Sequence, residues 1–389
     1  MREGAVVKRQ RIQDSQLLIM QKAYGYTGTA VVIPPDAVRP PKGKRVSRSQ
    51  TIDVEGKHLK VTNLEKVLYP ASGFTKGQII DYYARVAPAL IPHLATRPTT
   101  LKRYPEGVDK EFFFEKNTTK YRPEWVKTAP IWSEGNKRNV NYVLINDLPT
   151  LIWVANLAAV ELHPSLSLAR KIESPTVIAF DLDPGPPADI VQCCQVAFWL
   201  RDIFDHFGLQ SFPKTSGSKG LQIYVPLNTA TTYDTTKPFA HALASLLEND
   251  HKDLVLSEMK KSLRVGKVFV DWSQNDEHKT TIAVYSLRAR EHPTVSTPVT
   301  WEEVERALKK KDARLLVFEA PQVLDRLQKM GDLFEPVLTL KQKLPKLPTI
   351  EEAQPSAIES GLEMAAQADG PPRRKSPFRS TTKKKSRKV

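Results

Sequence analysis

Residues 177–187 read VIAFDLDPGPP. Four apolar residues, an acid–apolar–acid triplet and then Pro184, Gly185, Pro186 and Pro187 describe a buried strand that stops at a turn. Successive strand side chains alternate between faces, so Asp181 and Asp183 point the same way from the strand's end. Two carboxylates so placed repel unless a cation sits between them, and hard oxygen ligands suit Mg²⁺ or Mn²⁺. A turn whose Asp side chains bond local backbone would look the same, so the pair alone leaves both readings open.

A second stretch favours the metal reading. Residues 265–275, VGKVFVDWSQN, set Asp271 at the end of another short apolar strand. Three carboxylates at neighbouring strand ends can form a cradle for two cations, which together activate a hydroxyl and stabilise a leaving pyrophosphate. A phosphatase using the first Asp of the triplet as nucleophile is the rival enzyme class. It usually carries Thr or Val two positions beyond the second Asp, where this chain has Gly185.

Residues 214–226, KTSGSKGLQIYVP, supply a partner for the cradle. Ser216, Gly217, Ser218 and Gly220 make a tight turn between two strands, and the amides of such a turn can grip an anion. Ser216 and Lys219 add a hydroxyl and a charge, and Gln222 and Tyr224 share a face of the following strand. No Lys-Ser/Thr pair opens a helix here, so this is not a Walker loop. Alone it would be an ordinary Gly-rich hairpin. Beside carboxylates, a nucleoside triphosphate is the natural occupant. Arg288 and Arg290, read as alternating on a strand, could hold its phosphates.

Around these motifs, helices and strands mix without strict alternation. Thr75 and Gln78 form a capping box opening a helix that runs to about Leu94. Strands are expected at 99–104, 111–115, 177–183, 211–215, 221–226, 268–272 and 281–286. Helices are expected at 149–161, 189–207, 238–248, 301–310 and 320–330. Paired strands with short links argue for a mixed, partly antiparallel sheet in an α+β fold.

The net charge of +15 is uneven: residues 1–50 carry +7, residues 371–389 carry +9 and the 320 residues between carry −1. Basic ends on a near-neutral body point to a polyanion partner. The expected organisation is a basic extension and linker at 1–50, one folded domain at 51–340 and a disordered basic tail at 341–389. No apolar run reaches the ~20 residues of a membrane span, and the N-terminus lacks the apolar stretch of a secretory signal. Adjacent Cys193 and Cys194 can neither bridge readily nor complete a zinc site, which fits a reducing cytoplasm.

DLDPG, TSGSKGLQIYVP and VFVDW, in this order, resemble the three motifs of the archaeo-eukaryotic primase superfamily. More specifically, with VTNLEKVLYP, FTKGQIIDYY, RPTTLKRYP, LPTLIWVANLAAVELHPSLS and TTIAVYSLRAR, the chain is similar to the polymerase domain of bacterial ligase D over residues 57–310. The resemblance implies a primase-type fold with an N-terminal α/β lobe. It implies that Asp181, Asp183 and Asp271 bind two divalent ions, Mn²⁺ or Mg²⁺. Ser216, Lys219, Arg288 and Lys102 would contact the triphosphate, and His163 the nucleotide near its sugar. Asn63, Lys66 and Lys76 match a pocket for the 5′-phosphate of a DNA gap or end. From their spacing, Asn63 and Lys66 could share a helix face. Phe113 and Phe114 match aromatics that stack on the template base, one Phe of the 112–114 run being expected in the core.

The implied activity is template-directed nucleotide transfer that fills gaps and extends ends in bacterial end joining, with ribonucleotides accepted. A Ku-type end-binding protein would be the partner, at the nucleoid. Two departures stand out. Gln222 replaces the family's usual His, losing any charge at that position, and no Lys-x-Asp-Gly ligase motif is present, so ligation would need a separate DNA ligase. A primer-independent primase and a non-catalytic end-binding protein are the alternatives.

Overall fold

The computed structural model describes residues 49–345. Most of the expected linker and nearly all of the expected tail lie outside the described residues.

Two hairpins open the fold: β1 (Ser49–Val54) with β2 (Lys57–Thr62), and β3 (Val67–Tyr69) with β4 (Phe74–Thr75). The predicted capping box is present, with Gln78 N–H donating to Thr75 Oγ1 at 3.2 Å and Thr75 N–H donating to Gln78 Oε1 at 2.8 Å. It starts α1 (Lys76–Leu94). Ile79, Tyr83, Val86, Leu90 and Leu94 recur at helical spacing and are all fully buried, each contributing about 1.5–3 kcal/mol of apolar burial. Then come β5 (Thr99–Arg103), β6 (Phe113–Glu115), β7 (Thr128–Ser133), β8 (Arg138–Val143), α2 (Leu148–Asn156) and β9 (Ala159–Pro164). These five strands form one sheet, with β9 pairing β5.

A second large sheet and its helices follow: β10 (Val177–Pro184), α3 (Ile190–His206), β11 (Phe212–Thr215), β12 (Leu221–Pro226), α4 (Tyr233–Asp250), β13 (Val255–Leu256) and β14 (Val268–Asp271). Its sheet has the order β11-β12-β10-β14-β13, antiparallel except for β13 with β14. Helices α5 (Trp301–Lys310), α6 (Ala320–Met330) and α7 (Pro336–Thr339) close the described chain. The fold is α+β with a mixed sheet, as expected.

Strand alternation explains the central position of β10. Phe180 packs under α3, with its ring 5.4 Å from that of Phe204. On the opposite face, Val177 and Ala179 join the main core with Tyr224. Asp181 and Asp183 continue that face as the strand leaves the core.

Three expectations need correction. Residues 149–161 are not one helix: α2 ends at Asn156 and β9 begins at Ala159. Ala158 between them has φ +59°, which breaks the helix, and a buried strand has no periodicity to separate it from a buried helix. Residues 281–286 do not form a strand of either sheet. Tyr285 has φ +63°, and the segment instead lays its Thr281 and Ala283 N–H groups on the Pro164 and Leu162 carbonyls of β9. Arg288 and Arg290 therefore lie on an irregular segment. Asn63 and Lys66 share a turn rather than a helix, with Lys66 N–H on Asn63 C=O at 3.0 Å and Asn63 at φ +54°. Among the described residues, no helix is long and apolar enough to cross a membrane.

Candidate active site

Strand register brings the acids together. Asp181 of β10 lies opposite Asp271 of β14, with Asp183 two residues further along β10. Beyond the end of β14, the Asn275 side chain replaces the missing strand: its amide donates to Ala179 C=O at 2.7 Å and accepts from Ala179 N–H at 2.9 Å. The Asp181 Oδ1 atom is buried and has no hydrogen-bond partner. Burial, then the charges of Asp183 and Asp271, push the Asp181 carboxyl up to about 7, against the opposing pull of Gln222 and Lys214. Asp183 is raised by burial and then by the charge of Asp271, with Arg264 and Arg288 opposing.

An orphaned carboxylate oxygen beside two repelling acids is the chemistry a divalent cation relieves. The side chains do not yet converge, however, and no three acidic, His or Cys groups stand at ligand spacing among the described residues. Asp271 is engaged locally, accepting from Ser273 N–H at 3.0 Å, Ser273 Oγ at 2.6 Å and Gln274 Nε2 at 2.8 Å. Asp183 faces Arg264 at 3.7 Å. The donor set fits a metal if these local bonds are exchanged for it.

Asp181 and Asp183 open into a cavity of about 370 Å³ shared with Ser216, Lys219, Gln222, His163, Arg264, Arg288 and Arg290. The predicted turn forms one wall. Ser216 Oγ accepts from Ser218 N–H at 3.2 Å and Gly220 N–H at 3.1 Å. Gly220 is required by contact: a Cβ there would lie 2.1 Å from the Leu182 carbonyl oxygen of β10. The turn is thus pressed against the acidic strand. Gly185 is required in the same way, its Cβ position falling 1.8 Å from Arg264 C=O. Arg288 Nη1 donates to Ser216 C=O at 3.0 Å, and Arg290 bonds Ser218 Oγ.

Gln222 is held from behind. Lys214, fully buried, donates to Gln222 Oε1, to Ser296 Oγ at 2.7 Å and to Ile282 C=O at 3.1 Å. With Oε1 so engaged, the Gln222 NH₂ is left to face Asp181 and the cavity.

His163 lies on β9 rather than at a helix end, with Nε2 3.0 Å from Glu161 Oε2. Lys102 on β5 is opposite Glu161, with Nζ 4.0 Å from Glu161 and 4.1 Å from the Phe112 ring centroid. Phe112, Phe113 and Phe114 are 49%, 45% and 56% exposed, so none is a core residue, contrary to expectation. Register explains it: Phe113 and Phe114 belong to β6, at the edge of its sheet. Phe114 meets His163 edge-on at 6.4 Å, while Arg103 lies over Phe113 at 4.9 Å.

Asn63, Lys66 and Lys76, expected at a 5′-phosphate, stand together at one turn. Lys76 is 6% exposed, and its Nζ donates to the neutral oxygens of Thr62 at 2.7 and 3.3 Å. Its backbone N–H bonds Lys66 C=O. Burial, then the charges of Lys66 and Arg103, lower Lys76 to about 8. Lys66 meets Glu106 at 2.9 Å, and Asn63 stands at the same turn.

The sequence profile of the LigD primase-polymerase domain family matches residues 75–334. The chain belongs to this family. The multifunctional non-homologous end joining protein LigD of Mycolicibacterium smegmatis is 43% identical over 281 residues, 72% of this chain and 36% of that protein. The bifunctional non-homologous end joining protein LigD of Bacillus subtilis is 34% identical over 274 residues, 70% of this chain and 43% of that protein. The solved polymerase domain of Mycobacterium tuberculosis ligase D, in complex with DNA, matches with a TM-score of 0.67 and 40% identity, over 73% of this chain and 99% of that one. The chain spans about a third to two fifths of the curated relatives' length.

Within this LigD primase-polymerase fold, four site residues escaped the sequence reading: Glu161, Lys214, Arg264 and Arg103. Only Glu161 left a signal, as the single charge in the apolar run 148–162.

Proposed function

We propose that this chain is a metal-dependent, template-directed nucleotidyltransferase. It adds nucleoside monophosphates to a DNA 3′-hydroxyl at 5′-phosphorylated gaps or ends, in bacterial non-homologous end joining. The observation that carries this reading is one cavity shared by Asp181, with its orphaned buried oxygen, and by the Ser216–Gly220 turn with Lys219, Arg288 and Arg290. Acids for cations and cations for a triphosphate face the same space. The names of the relatives supply the repair context.

Asp181, Asp183 and Asp271 would hold two Mn²⁺ or Mg²⁺ ions, which neutralise the triphosphate and ease ionisation of the 3′-hydroxyl when bound. Lys219, Arg288 and Arg290 grip the triphosphate, with Ser216 shaping the turn and Lys102 close by. Gln222 donates its amide toward the reacting phosphates. His163 borders the sugar, and ribonucleotides are accepted. Phe113 and Phe114 stack on the template base, worth about 1–3 kcal/mol per base. Asn63, Lys66 and Lys76 take the 5′-phosphate. Catalysis here is positioning and charge neutralisation, with no covalent step for the protein. A Ku-type protein and a DNA ligase activity complete the pathway at the nucleoid in the cytoplasm.

The test is incorporation of labelled rNTP or dNTP on gapped duplex with and without a 5′-phosphate, in Mn²⁺ or Mg²⁺. Metal-dependent, template-matched incorporation stimulated by the 5′-phosphate is expected. DNA binding with no incorporation under any of these conditions would overturn the enzymatic reading.

A further inference from the structure

We propose that Glu161 is a positioning residue that assembles the cationic half of the nucleotide site. The inference rests on the function proposed above and adds to it a residue to which the sequence reading gave no role. Glu161 is 2% exposed, in the middle of β9. A carboxylate so deep is costly unless paired and hydrogen-bonded. Here every partner belongs to the nucleotide site. His163 Nε2 stands 3.0 Å from Oε2, Arg288 Nε is 3.4 Å from Oε1, and Lys102 Nζ is 4.0 Å from Oε1. Ala289 N–H, between the two arginines, donates to Oε1 at 3.0 Å.

Strand geometry makes this convergence possible. Glu161 and His163 share a face of β9, and Lys102 is opposite Glu161 across the β5 pairing. The irregular segment carrying Arg288 belongs to no strand; Arg288 N–H donates to Thr294 C=O at 2.8 Å and Tyr69 Oη donates to Arg288 C=O at 2.9 Å. Glu161 adds a charged anchor at the next residue through the Ala289 amide. One carboxylate therefore sets three cationic or potentially cationic groups from three segments, and the backbone joining Arg288 to Arg290. Burial alone would raise the Glu161 carboxyl. The hydrogen bond from His163 and the charges of Arg288 and Lys102 outweigh it and hold Glu161 at about 2, so it is ionised at any working pH.

Two roles make opposite predictions. A carboxylate that only tempers positive charge weakens triphosphate binding, so its removal would tighten it. A carboxylate that positions the cations strengthens productive binding, so its removal would loosen it. The experiment uses the full chain with Glu161→Gln, measuring kcat and KM for nucleotide on 5′-phosphorylated gapped duplex, and duplex affinity without nucleotide. KM should rise about tenfold to 100-fold, as displaced catalytic groups do, with duplex affinity unchanged. Because Glu161 acts through Arg288, the double variant Glu161→Gln, Arg288→Ala should lose less than the product of the two single losses. Wild-type KM, a lowered KM or multiplicative losses would overturn the proposal. If Glu161→Gln does not fold, Glu161→Asp keeps the charge but retracts it by one methylene. A smaller rise in KM is then expected, and an unchanged KM would overturn the proposal. Absence of incorporation by the wild-type chain itself would instead count against the function proposed above.

Discussion

Asp181 is where stability and activity conflict most directly. Burial, then Asp183 and Asp271, push its carboxyl up to about 7 in the folded chain, against ~3.9 when unfolded. Below ~3.9 both states hold the proton and ionisation has no effect on stability. Between ~3.9 and 7 the folded state holds the extra proton, so stability falls as pH rises, and above 7 the full penalty is present. Asp181→Asn removes that penalty together with the metal ligand. In chelator, its melting temperature should exceed wild type by roughly 2–4 °C at pH 8, and by less at pH 5. Incorporation should fall by about 10²–10³-fold. An equal shift at both pH values would show that the repulsion is not expressed in the folded chain.

Lys76 gives the second prediction at this scale, with the opposite charge. Its ammonium is held to about 8 by burial first and then by Lys66 and Arg103. It is charged below that pH and neutral above it. Preference for a 5′-phosphorylated gap should therefore be full at pH 7 and decline toward pH 9, the bound phosphate shifting the decline upward. Affinities for gaps with and without the phosphate at pH 7, 8 and 9 measure it. A constant ratio would remove Lys76 as the discriminating charge.

Elements were legible where a local signal coincided with the long-range one. The α1 capping box and the β10–β12 motifs were readable because alternation, turn residues and caps all agree there. The two misread segments fail for one reason. Ala158 and Tyr285 adopt positive φ with ordinary side chains, a conformation that tertiary contacts impose and composition does not announce. The exposure of Phe112–Phe114 was unreadable in the same way, since it depends on β6 being an edge strand. The sequence singled out the three aspartates that strand register sets near one another, but not the residues that hold them in place. Asn275 is the clearest case: fully buried, it completes the hydrogen bonding of Ala179 two residues before Asp181. Asn275→Ala leaves both Ala179 backbone groups unpaired and should destabilise by about 2–4 kcal/mol. Urea denaturation with an unchanged m-value tests it, and a loss below about 0.5 kcal/mol would mean that water replaces the amide.

At the scale of the whole molecule, DNA binding should divide into two separable parts. In the function proposed above, the described body would supply a directed contact, with buried Lys76 and part-buried Lys66 at one turn. Residues 371–389 supply nine Lys and Arg and no acid, with no motif for any base or end. Charge of that kind binds phosphate without discrimination and releases counterions, contributing a slope of about −0.9 in log K against log salt for each phosphate neutralised. Removing residues 371–389 should therefore weaken binding to every duplex alike and flatten the salt dependence by several such increments. The ratio of affinities for gaps with and without a 5′-phosphate should stay the same, because the groups that read it are all retained. Anisotropy titrations between 50 and 200 mM salt, on both gaps and an intact duplex, separate the two parts. An unchanged slope would mean that the basic segment does not touch DNA. A changed 5′-phosphate ratio would mean that it helps to read the end.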